Sequence, residues 1–285
     1  MSVLALRRSL PLVPMLAVLL AAAAPSAVRA QGKLEAHYTA TIAGIPIGKG
    51  TWAIDITDSH YTASASGETT GLVRAFTGGE GNSHVNGTLQ AGQPASSTYA
   101  STIASSHKTD VVQLTVANGV VTDFRLDPPL ETEPDRVPIT DASRKGILDP
   151  MTASLMRTPG TGTPLSPEAC QRTLAIFDGR LRYDLQFAYK RMDHVKAGKG
   201  YTGPVVVCAV YFSPVAGYIP SRAAIRYIAK LRDMEVWLAP IAGTRVLVPF
   251  RAQGPTPIGR MVMEATQFVS VPVPTHASAN GTKTQ

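Results

Sequence analysis

From residue 34 the chain alternates between apolar and polar positions. Leu34, Ala36, Tyr38, Ala40 and Ile42 fall on one face, and Glu35, His37, Thr39 and Thr41 on the other. A period of two is that of a half-buried strand. The run Gly44-Ile45-Pro46-Ile47-Gly48 breaks it with turn residues, and Trp52, Ile54 and Ile56 resume it within residues 50–57, so a hairpin is expected. Residues 61–70, 81–89 and 96–104 read as further strands. Residues 111–116 and 120–126 flank Asn118-Gly119, a pair that tolerates positive φ and is the clearest hairpin signal in the chain.

The second half continues the pattern. Asp149-Pro150 predicts the start of a short helix over residues 150–156, because Asp149 can cap free amides and Pro150 suits the first turn. Residues 127–141 and 159–167 are rich in proline and are expected to be surface loops. Residues 174–189 predict a strand pair turning at Asp178-Gly179, residues 190–204 a polar turn, and residues 203–212 an apolar strand. Ala224, Ile225, Ile228 and Leu231 stand at helical spacing, with a strand as the alternative. Residues 234–238, 244–250 and 259–269 resemble three consecutive strands, and residues 271–285 lack any sustained apolar pattern and are expected to be unstructured.

Short strands with turns roughly every 8 to 12 residues predict an all-β protein and not an α/β one. The expected architecture is a strongly curved antiparallel sheet or open β-barrel with one or two short helices, in a single domain over residues 31–270. Leu72, Val73 and Phe76, fenced by glycines, suggest an apolar helical turn that plugs the sheet or lines a ligand site.

Residues 1–30 have another character. Arg7 and Arg8 precede an apolar run over residues 10–24, and small residues end at Val28-Arg29-Ala30. This predicts a secretory signal peptide cut after Ala30, hence a periplasmic location, with an uncleaved anchor as the alternative. Sec and twin-arginine export are not distinguished. No cysteine closely follows the apolar run, which argues against a lipoprotein anchor. Removing Arg7, Arg8 and Arg29 takes three from the formal charge of +7 and leaves a mildly basic chain. Its cations are scattered, so nucleic acid is not an expected partner, whereas weak attraction to an anionic membrane or glycan is permitted.

In an oxidising compartment the two cysteines, Cys170 and Cys208, are expected to form a structural disulfide, since no Cys-x-x-Cys spacing points to redox chemistry. His37, His60, His84, His107, His194 and His276 stand apart from any metal-ligand spacing, so neither a metal nor another cofactor is expected. No Gly-x-Ser-x-Gly, phosphate loop or dinucleotide fingerprint occurs. Asp149, Asp178, Arg180, Arg182 and Asp184 form the candidate functional polar face. Paired carboxylates there would allow acid/base chemistry. The structural alternative has Asp149 capping a helix, Asp178-Gly179 turning the chain, and Arg180, Arg182 and Asp184 pairing across strands.

Leu148-Asp149-Pro150-Met151, the run from Ile176-Phe177-Asp178-Gly179 through Asp184, the opening Tyr38 with Ile45-Pro46-Ile47-Gly48, and Val236-Trp237-Leu238 resemble the proteobacterial envelope family called domain of unknown function 3108. The resemblance spans residues 34–270 and implies a periplasmic location and a β architecture, but no catalytic site. The pattern is also similar, at the level of fold, to Lol-type lipoprotein carriers and envelope-integrity proteins, in which a curved sheet wraps around a plug. Three functions are expected from this: binding of a hydrophobic ligand, acyl chain or lipidated partner in support of the cell envelope; a scaffold that docks envelope proteins through a sheet edge; or a glycan-active hydrolase using Asp149, Asp178 or Asp184. The first is preferred, and an enzyme is the minority reading.

Overall fold

The computed structural model describes residues 31–71, 74, 78–90 and 92–273. The chain opens with seven antiparallel strands paired in sequence order: β1 (Gly32–Ile42), β2 (Ile45–Ile56), β3 (His60–Thr69), β4 (Glu80–Gln90), β5 (Gln93–Ala104), β6 (Thr109–Ala117) and β7 (Val120–Asp127). The alternation read from residues 34–42 is the alternation of burial. Leu34, Ala36 and Tyr38 point into the core with Trp52, Ile54, Ile56, Tyr61, Ala63 and Val85 from the next strands. Gly50, Gly67 and Gly81 lie opposite one another across β2, β3 and β4. A Cβ on Gly50 would sit 2.7 Å from the Ser66 carbonyl oxygen, so the bare backbone lets these strands coil closely at that end of the sheet.

The sheet continues through β8 (Met156–Arg157), β9 (Arg172–Phe177), β10 (Arg182–Lys196), β11 (Lys199–Gly200), β12 (Thr202–Ala216), β13 (Met234–Pro240), β14 (Val246–Thr256) and β15 (Gly259–Pro272). The order across it is β7-β6-β5-β4-β3-β2-β1-β15-β14-β13-β12-β10-β9, with β11 beside β15 and β8 beside β14. It is all-β, curved and open: β7 and β9 do not pair with each other. Residues 145–148 fill the seam between them. Val120 bridges to Lys145 and Leu148 to Ile176, while the Ile147 amide donates to the Gly119 carbonyl and the Phe177 amide to the Leu148 carbonyl. Phe124 and Phe177 meet edge-on across the seam with ring centroids 6.1 Å apart.

Helices α1 (Pro150–Ala153) and α2 (Ala223–Lys230) accompany the sheet. The first occupies the interior, where Met151, Thr152 and Ala153 are all buried. It is shorter than the sequence suggests: Met156 already pairs with Leu247 as β8, so the chain leaves the interior after Leu155 and crosses to the outer face. There a strap ending at Cys170 covers the outward side chains of β12–β14, among them Val206, Cys208, Val236, Leu238 and Leu247. The Arg245 guanidinium clasps the strap by donating to the carbonyls of Thr158, Pro159 and Gly162. Cys170 and Cys208 form a disulfide that holds its far end.

The helical spacing in residues 221–231 is α2, and the strand alternative there is not realised. The turn expected over residues 190–204 is much tighter, because β10 runs on to Lys196 and β12 begins at Thr202. Most outward side chains of this part of β10 are polar, yet its backbone stays paired with the buried run Val205-Val206-Val207. The hairpin tip tucks under β15: Tyr201 donates its amide to the Phe268 carbonyl, and the Tyr201 ring packs near Phe250 and Phe268. Gly200 has φ +98°, and a Cβ there would lie 2.1 Å from the Phe268 carbonyl oxygen. Gly200→Ala is therefore expected to cost about 1–3 kcal/mol, from positive φ and from displacement of the tip, read as a lowered midpoint in urea unfolding. At the other end of the chain β15 includes Val271 and Pro272, two residues assigned by composition to the tail. Residues 1–30 and the suggested plug residues Leu72, Val73 and Phe76 lie outside the described residues. Among the described residues no helix is long and apolar enough to cross a membrane.

Candidate functional site at the open end of the barrel

The five polar residues singled out in the sequence do not share a face. Asp149 is wholly buried at the start of α1. Its Oδ1 accepts the amides of Met151 at 2.9 Å and Thr152 at 3.0 Å, as a helix-capping carboxylate does. Its Oδ2 accepts the hydroxyls of Ser96 and Thr152, and the Tyr61 hydroxyl lies 2.6 Å from Thr152 Oγ1. Burial pushes the Asp149 carboxyl above the usual range, and these hydrogen bonds offset part of the shift. Burial likewise raises the Tyr61 phenol. Ser96, Thr152 and Tyr61 escaped notice in the sequence because they come from three distant segments and match no motif.

Asp178 stands in the β9–β10 turn, where Oδ1 accepts the amides of Arg180 at 2.8 Å and Leu181 at 2.6 Å. Its carboxyl is also raised by burial, against the lowering effect of those amides and of the Arg180 charge. Arg180 does not pair with its neighbours along the strand. It reaches across the barrel end to Asp110 Oδ1 on β6 at 2.9 Å and to the Pro128 carbonyl at 3.0 Å. Arg182 and Asp184 pair with each other at 2.7 Å along β10. The expected cross-strand set of three is thus replaced by one same-strand pair and one tie across the mouth. The reason is that Arg180 belongs to the turn and precedes the strand.

That tie frames a cleft of ≈ 630 Å³ at the end of the barrel where β5 and β7 finish and β6 begins. Its floor holds Tyr99, Ser101 and Pro150, and its apolar walls are Leu130, Leu181, Ile219 and Ile225. Burial raises the Tyr99 phenol. Lys108, Arg136, Arg180 and Arg222 line the rim with Asp110, Glu131 and Asp178. Arg136 donates to the Gly217 carbonyl at 2.7 Å, fastening residues 128–136 to the chain leading into α2. Helix α2 roofs the cleft through Ala224 and Ile225, and none of its residues is buried. The only sequence signal for this roof was the helical spacing itself. A recess of ≈ 680 Å³ beside β1–β4 is lined mainly by polar and glycine residues and offers no comparable apolar wall.

Among the described residues no cluster of three His, Cys, Asp or Glu side chains could hold a metal ion. The carboxylates of Asp149 and Asp178 are spent on backbone amides, and Asp110 is held by Arg180 and by Lys108 at 3.0 Å. The profile of the family described as "Protein of unknown function (DUF3108)" matches residues 37–266, which spans β1 to β15 and both helices. The chain belongs to this family. As a DUF3108 protein it also has a distant likeness to the crystal structure of a beta-barrel-like protein of domain of unknown function DUF1849 from Brucella abortus. That likeness has 9% identity and a TM-score of 0.41, and covers 85% of this chain and 98% of the other. No curated protein matches it.

Proposed function

We propose that this DUF3108 protein is a periplasmic binding protein that takes the apolar part of an amphiphile, an acyl chain or a lipidated partner, into the mouth of its barrel and so serves the cell envelope. The observation that carries the reading is the cleft between the barrel mouth and α2. Its ≈ 630 Å³ is of ligand-site size, and its apolar walls end in a partly cationic rim. A tail would lie against Leu130, Leu181 and Ile225, and an acidic head would face Arg136 and Arg222. The periplasmic part of the proposal is supported by the apolar run over residues 10–24 behind Arg7 and Arg8, and by the disulfide, which suits an oxidising compartment.

Native mass spectrometry of the protein purified from its own envelope tests this. An adduct of lipid mass is expected on the wild type and is expected to vanish in Ile225→Asp, which puts a charge on the apolar roof without opening the core. A bare mass, with no uptake of added fatty acid or lysophospholipid, sinks the proposal.

A further inference from the structure

We infer that the open end of the barrel is a docking surface for an anionic lipid bilayer, made from the basic row of α2 and the apolar tips of two neighbouring hairpins. Residues 221–232 hold Arg222, Arg226, Lys230 and Arg232 and no acidic residue. Arg222, Arg226 and Lys230 recur every four residues, which places them along one side of the helix, and all three are exposed. Tyr227, beside them, is exposed too. Ile225, Ile228 and Leu231 are half-buried on the barrel side. Arg222 approaches Glu133 only to 3.7 Å, and among the described residues no acid pairs with Arg226 or Lys230.

The apolar component lies next to it. The Ala43 amide of the β1–β2 turn donates to the Arg260 carbonyl at the start of β15, which brings two hairpin tips side by side. Ile45 on one is 68% exposed, while Ile258 and Met261 on the other are 75% and 43% exposed. Single exposed apolar residues need no explanation, but three on adjoining tips form a projection. Arg260 also reaches Asp233, the residue that follows Arg232, at 3.7 Å, so helix and tips belong to one surface.

Charge complementarity selects the occupant. Unpaired cations on an exposed amphipathic helix, next to aliphatic tips, match an anionic headgroup layer above an apolar one. Docked in this way, the cleft opens toward the bilayer. The inference does not need the cleft to be filled, and it can stand or fall independently of the ligand proposal.

The test is flotation of the purified mature protein with vesicles of phosphatidylcholine alone or mixed with phosphatidylglycerol. Binding is expected to the mixed vesicles only and to weaken with added salt. The double variant Arg226→Glu, Lys230→Glu is expected to lower the bound fraction about tenfold or more, since each cation near an anionic surface contributes separately. Ile45→Asp with Ile258→Asp should also release the protein, with far-UV circular dichroism unchanged in both variants. Failure to float, equal flotation with both vesicles, or variants that bind like the wild type would overturn the inference. A soluble acidic protein as the true partner would give the first result.

Discussion

Replacing both cysteines, Cys170→Ala with Cys208→Ala, is expected to destabilise the chain by about 4 kcal/mol. The bond closes a separation of 38 residues, and the loss of unfolded-chain freedom for a loop of that length is of this order. The native state adds a local consequence. Cys170 ends the strap that covers the outward side chains of β12–β14, and both sulfurs are buried among Met156, Phe187, Leu238 and Leu247. Without the bond only β8, the Arg245 clasp and apolar contact hold the strap. Urea unfolding of the double variant should therefore give a lower midpoint. Hydrogen exchange should rise first in β12–β14, whereas β1–β6, whose core faces the other way, should keep wild-type protection. A loss below about 1 kcal/mol would mean that loop closure is not what the bond contributes.

Strand positions were legible wherever one face is buried and the other wet, as in β1, β2 and the hairpin at Asn118-Gly119. The β10 extension was not, because its polar side chains follow solvent while its backbone follows the buried β12. Pairing with a partner strand leaves little trace in the residues of the strand that is paired. The helix cap at Asp149 was legible from two residues, since capping is local. Its burial was not local: the hydroxyls around it come from β3, β5 and α1, which meet only when the sheet curls. The mouth cleft was hidden for the same reason. Arg180 looks like one member of an alternating series, and only the fold shows that its partner is Asp110, seventy residues earlier. The basic row of α2 is legible at four-residue spacing, but the spacing alone does not say that the helix stands exposed at the mouth of the barrel.

Asp149→Ala should be the other severe substitution, with an expected loss of about 3 kcal/mol or more in urea unfolding. Loss of a capping side chain costs about 1–2 kcal/mol, and each buried hydroxyl left without its acceptor costs about 1–3. Asp149→Asn should be milder, because the carboxamide oxygen can still accept the Met151 and Thr152 amides while its NH₂ turns to the Ser96 and Thr152 oxygens. Wild type and the Asn variant also separate by pH. Burial holds the folded Asp149 carboxyl above its value in the unfolded chain. Between those two values the native state binds more protons than the unfolded state, so this residue's contribution to stability falls as pH rises from about 4 through the folded value and is constant above it. Asp178 shifts in the same direction and bends the wild-type curve as well. The difference between wild type and Asp149→Asn removes that shared part. The expected result is that the wild type loses ground to the Asn variant with rising pH, because only the wild type has to ionise a carboxyl inside the barrel. Parallel curves would mean that the four hydrogen bonds cancel the effect of burial, and a wild type that gains on the Asn variant with rising pH would mean that they outweigh it.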